Sequence, residues 1–136
     1  MTNKYAATTP QRIQLRRTRG WRKPEAAIVV SRPTKWGNPF TIDGAIESGF
    51  AADRDQARRL CVEAFRSCLV HGRGSGWWSE TAAHRFEWMT DHLESLAGRD
   101  LACWCTLVDP GCDPVPCHAD VLLELANSPY LPHQSH

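Results

Sequence analysis

Apolar positions along the chain follow two periods. Arg12-Ile13-Gln14-Leu15-Arg16 alternates polar and apolar residues as a short strand does, and residues 26–31 form a compact run rich in β-branched side chains that reads as a central strand. From Asp53 the period lengthens. Ala57, Leu60, Cys61, Ala64, Phe65, Cys68 and Leu69 share one face of a helix that ends before Gly72. After a loop at 73–76, a second helix starts near Ser79, with Ala82, Phe86, Met89, Leu93 and Leu96 on one face and Gly98 as its stop. Residues 99–105 read as another central strand, and a third helix runs from near Cys117 to about Asn127, ahead of Pro129. This order predicts a small single-domain α/β fold over residues 11–128, with flexible tails at 1–10 and 129–136. The expected sheet is partly parallel, with about three to four strands and three helices.

Composition narrows the class. A chain of 136 residues can bury one real core. No apolar run approaches the roughly 18 residues of a membrane span, so no membrane partner is expected. The first residues lack the apolar stretch of a secretory signal, which points to the cytoplasm. There the six cysteines would stay reduced, as core residues, metal ligands or reactive thiols rather than a disulfide framework. Charge is uneven. Residues 1–24 hold seven basic side chains and no acid, whereas the remainder holds nine basic against fifteen acidic, a net of −6. The basic arm includes Arg17, Trp21 and Arg22, and it suits a nucleic-acid backbone or folds inward to line a ligand site.

Two segments carry candidate chemistry, and each follows a predicted strand, where ligands of α/β sheets commonly lie. In the first, Arg32 and Lys35 offer charge for a phosphate or carboxylate, Trp36 and Phe40 offer flat surfaces for a base, Asn38 offers hydrogen bonds, and Gly37 allows close backbone approach. An ordered loop that closes the core is the competing reading. In the second, Cys103 and Cys105 point the same way from a strand while Trp104 points away. Cys117 and His118 occupy the first turn of the third helix, where a thiol tends toward the thiolate, and Asp120 could orient His118 or move protons. Plain core filling competes here also, and Cys61 and Cys68 on the first helix are read as core. If zinc is bound, the candidate ligands are Cys103, Cys105, Cys112 and Cys117, although a strand-borne C-x-C is not the usual C-x-x-C knuckle. Otherwise no cofactor is expected.

Three stretches together resemble the DUF4326 family, a domain of unknown function in bacteria and phages. They are residues 12–17 with Gly20-Trp21-Arg22; Ser31-Arg32-Pro33-Thr34-Lys35-Trp36-Gly37-Asn38-Pro39-Phe40; and Leu101-Ala102-Cys103-Trp104-Cys105 with Pro116-Cys117-His118-Ala119-Asp120-Val121-Leu122. The chain departs from that pattern in a longer loop at 106–115, which adds Cys112. The resemblance implies a compact cytosolic or phage-encoded domain and carries no activity. From the residues, the expected function is binding of a nucleotide or nucleoside, with hydrolysis or transfer at its N-glycosidic bond as the catalytic version. In that version Cys117, His118 and Asp120 would act on a ligand held by Arg17, Trp21, Arg22, Arg32, Lys35, Trp36, Gly37, Asn38, Phe40, Cys103 and Cys105. The alternatives are a non-catalytic binder of a nucleotide or nucleic acid, such as a phage-type ligand sponge, and a small zinc-stabilised interaction module.

Overall fold

A computed structural model describes residues 9–128 of the chain. The tail expected at 129–136, and all but the last two residues of the one expected at 1–10, lie outside the described residues. The elements in chain order are β1 (Arg12–Gln14), β2 (Ile28–Val29), α1 (Ile42–Glu47), α2 (Arg54–His71), α3 (Ala83–His92), β3 (Leu101–Cys103) and α4 (His118–Ala126). Short 3₁₀ turns at Gly72–Gly74 and Leu93–Leu96 extend α2 and α3.

The sheet has strand order β1-β3-β2 and is parallel throughout, not partly so. Only β3 is central: Leu101, Ala102 and Cys103 are fully buried, paired with Arg12, Ile13 and Gln14 on one side and with Ile28 and Val29 on the other. The run at 26–31 therefore lies at an edge. Its apolar character comes from packing above and below the sheet, because both faces are covered, and such strands read as continuous apolar runs whether or not they are flanked. One face carries Leu101 and Cys103 against Phe65, Phe86, Met89 and Leu122 of the helices. The other carries Ala102 against Leu15 and Ala27, with Ile13, Val29 and Trp21 packed beside them.

The helices follow their caps and stripes. Asp53 caps α2 by accepting from the Gln56 N–H, and Ala57, Cys61, Ala64, Phe65, Cys68 and Leu69 form its buried face. The second predicted helix is shorter than its apolar spacing suggested, because Ser79–Ala82 is wound into turns by the Ser79 hydroxyl, which accepts from Thr81 N–H. The sequence pattern does not announce α1: it is six residues long and buries none of them. Among the described residues no helix is long and apolar enough to cross a membrane.

Candidate functional site

At the carboxyl ends of β2 and β3 the two unusual segments meet around a cleft of about 240 Å³. Ser31, Arg32, Asn38 and Phe40 form one side, Cys103, Trp104, Cys105, Pro116, Cys117 and His118 another, and α2 supplies Arg58, Cys61 and Val62.

The thiol side is assembled by three elements. Cys103 ends β3, Cys105 stands two residues on, and the loop between Thr106 and Val115 doubles back through an antiparallel bridge from Val108 to Pro114. That return brings Cys117 beside Cys103, with the two sulfurs 3.2 Å apart. The sulfurs of Cys103, Cys105 and Cys117 all lie within 4.8 Å of one another. Cys117 is the N-cap of α4 rather than part of its first turn, with an extended backbone (φ −150°). Its sulfur accepts from the Ala119 N–H at 3.4 Å, while Asp120 accepts from the Cys117 N–H at 3.1 Å, completing a capping box.

Arg12, which was absent from the expected site residues, holds this corner closed. Its side chain is 7% exposed and its Nε lies 3.1 Å from Asp120 Oδ1. Its Nη atoms donate to the carbonyl oxygens of Val115 (2.7 Å), Thr106 (3.3 Å) and Leu107 (3.5 Å), and to Cys103 Sγ (4.0 Å). One guanidinium thus ties β1 to the returning loop, to the α4 cap and to a thiol. The alternation at residues 12–16 held a trace of this: Arg12 and Gln14 share the face of β1 opposite Ile13 and Leu15, which pack behind the sheet.

The thiols ionise unequally. Cys103 is held well below the ordinary thiol range, first by hydrogen bonds from the Cys105 and Cys117 thiols and further by Arg12. Cys105 and Cys117 are pushed up, chiefly by donating those same bonds. His118 is kept neutral by burial. Its Nε2 lies 2.8 Å from the Val30 carbonyl oxygen, which only accepts, so the proton sits on Nε2. Nδ1 is left as a lone pair 3.6 Å from Cys117 Sγ.

The segment at 31–40 divides. Arg32 faces the cleft, donating from Nη1 to the Asn38 carbonyl oxygen at 3.3 Å. Gly37 does allow a close approach, but by Arg32: a Cβ there would meet Arg32 Cγ at 2.4 Å. The Asn38 amide is already used, donating to Cys61 O (3.1 Å) and accepting from Phe40 N–H (2.9 Å). Lys35 and Trp36 are not brought to the cleft. Trp36 is buried edge-on against Trp88, and the Lys35 ammonium sits 5.2 Å from the centre of that Trp88 ring. Of the arm, Arg17 stacks at 4.6 Å over Trp104, which is 45% exposed at the cleft rim. Trp21 packs behind the sheet and Arg22 is exposed. Cys112 is exposed on the 106–115 loop in a left-handed conformation (φ 67°), apart from the other three thiols.

A family model described as a domain of unknown function, DUF4326, matches residues 13–128. No curated protein and no solved structure matches the chain.

Proposed function

We propose that this chain, which belongs to the DUF4326 family, binds a small anionic ligand of the nucleotide class in the cleft between residues 31–40 and 103–118. The observation that carries the reading is the convergence of Arg32, Arg58 and the Trp104 ring on one cleft. Arg32 is positioned by Gly37 and Asn38, and among the described residues it has no carboxylate within ion-pair distance, so its charge is available to a phosphate. Trp104, with Arg17 on its ring, offers a stacking surface of the kind that flat bases use. A volume of about 240 Å³ lies just under the usual range of drug-sized sites, which favours a mononucleotide over a dinucleotide. The reading is of a binder rather than a glycosidase. Asp120 already serves the α4 cap and Arg12, and His118 is neutral with its one proton engaged by Val30.

Titration calorimetry with nucleoside monophosphates, the matching nucleosides and inorganic phosphate tests this. Monophosphates should bind best, with Arg32→Ala and Trp104→Ala each weakening them about tenfold. Equal affinity for nucleosides and monophosphates, or binding indifferent to both substitutions, would remove the proposal. A single-stranded oligonucleotide that outcompetes every mononucleotide would reassign the cleft to nucleic acid.

A further inference from the structure

We infer that Cys103, Cys105 and Cys117 together bind one zinc ion, whose fourth coordination position opens to the cleft. The inference is independent of what the cleft binds. It begins with spacing. Zinc–sulfur bonds of about 2.3 Å place neighbouring sulfurs of a tetrahedron about 3.8 Å apart. Here one pair lies at 3.2 Å and no two of the three sulfurs are more than 4.8 Å apart, close enough for one ion to reach all three. An iron–sulfur cluster spreads its cysteines over several irons, so sulfurs this close suit a single ion.

The surroundings are those of thiolates rather than of core filler. Donors are aimed at two of the three sulfurs: the Ala119 N–H at Cys117 and the Arg12 guanidinium at Cys103. Outer donors of this kind commonly orient metal-bound ligands. The Ala119 N–H also caps α4 and Arg12 also fastens the returning loop, so the fold itself fixes the aim of both donors at the sulfurs. Nor are the ligands left to chance in the fold. One ends the central strand and one caps a helix, with Arg12 fastening the loop between them.

The fourth position is not supplied by cysteine. Cys112 is exposed and lies outside the trio. His118 Nδ1 approaches Cys117 Sγ at 3.6 Å but does not join the set of mutually close ligand atoms. The three sulfur-bearing residues line the cleft, so a water molecule or a ligand group completes the site from that side. Zinc with three protein ligands and an open position acts as a Lewis acid on whatever reaches it.

The experiment uses the full chain purified under reducing conditions without chelator. Elemental analysis should find about one zinc per chain. Cobalt(II) added after zinc removal should give sulfur-to-cobalt charge-transfer bands and the ligand-field bands of a tetrahedral site. Cys103→Ser, Cys105→Ser and Cys117→Ser should each weaken cobalt binding by more than the roughly 100-fold that outer-shell changes reach. Cys61→Ser and Cys112→Ser should not. A small external thiol should shift the ligand-field bands of the wild type by entering the open position. Reduced wild-type protein that holds no zinc and gives no charge-transfer band with cobalt would overturn the inference without reference to any variant's folding. So would a Cys103–Cys117 disulfide found in metal-free protein as isolated. A folded His118→Ala variant that no longer binds cobalt would assign the fourth position to the imidazole and overturn the open site. None of these outcomes depends on nucleotide binding.

Discussion

Two groups of cysteine lie inside this fold, one wholly buried and one buried but for the half-buried Cys105, and they differ most in what surrounds their sulfurs. Cys61 and Cys68 stand seven residues apart on the inner face of α2. Among the described residues their sulfurs have no N–H aimed at them, and Cys68 itself donates, to the Ser75 hydroxyl at 3.8 Å. Burial raises both thiols. Cys103, Cys105 and Cys117 come from different elements, touch one another, and receive N–H groups from Arg12 and Ala119. Burial alone says little about a cysteine, since reduced thiols are among the most buried side chains. What separates the groups is the direction of the donors.

The harshest test of that contrast is Arg12→Met. The substitution keeps an unbranched, flexible stem but removes every donor from a buried position, leaving the Val115 and Thr106 carbonyl oxygens and Asp120 to find new partners. Because Asp120 is half exposed and can turn to water, the expected loss is about 2–4 kcal/mol, below the upper range for a broken buried ion pair. Urea unfolding of the metal-free chain measures it. A loss under about 1 kcal/mol would be no larger than that of a typical hydrogen bond, and the corner would then be as ordinary as α2. Arg12→Lys should recover little, since one ammonium cannot span the same fan of carbonyl oxygens.

That residue also marks where sequence reading stopped. The helical stripes of α2 and α4 and the alternation at β1 are local signals, and local signals survive in a single chain. The meeting of residues 31–40 with 103–118 was also legible, because both segments follow parallel strands and the carboxyl ends of such strands share one edge. The strand order was not. Ala102 and Val30 are both apolar and both fully buried, and only pairing on both sides makes β3 central. The role of Arg12 depends on contacts about 90 to 100 residues away in the chain, so its alternating neighbours announce a strand and nothing more. Trp36 misled for a related reason: an aromatic ring in a loop looks the same whether it faces a ligand or Trp88.

Cys68→Ala is the next largest test. Cys68 is almost fully buried and its sulfur hydrogen-bonds to the Ser75 hydroxyl, so the change removes one atom and opens a small cavity. A cost of about 1 kcal/mol is expected, at the low end for large-to-small core changes. Metal content should stay the same. Were the variant to lose zinc as well, the two groups would be coupled through the packing between α2 and α4.

The smallest effect is a pH dependence. Burial raises the Cys61 and Cys68 thiols, opposed only partly by Arg32 and by Ser75 respectively. In the unfolded chain a thiol ionises near about pH 8.5. Above that point, and up to the raised folded value, the folded state retains protons that the unfolded chain has released. The stabilisation is therefore fully present below about pH 8.5 and is lost as pH rises, by at most about 1.4 kcal/mol per pH unit for each thiol. Urea midpoints measured near pH 8 and pH 10 should converge in Cys68→Ala relative to the wild type, because one of the two proton-retaining groups is gone. An unchanged alkaline slope would mean that Cys68 ionises in place despite its apolar surroundings. The α2 thiols would then share the ionising character that here belongs to the corner alone.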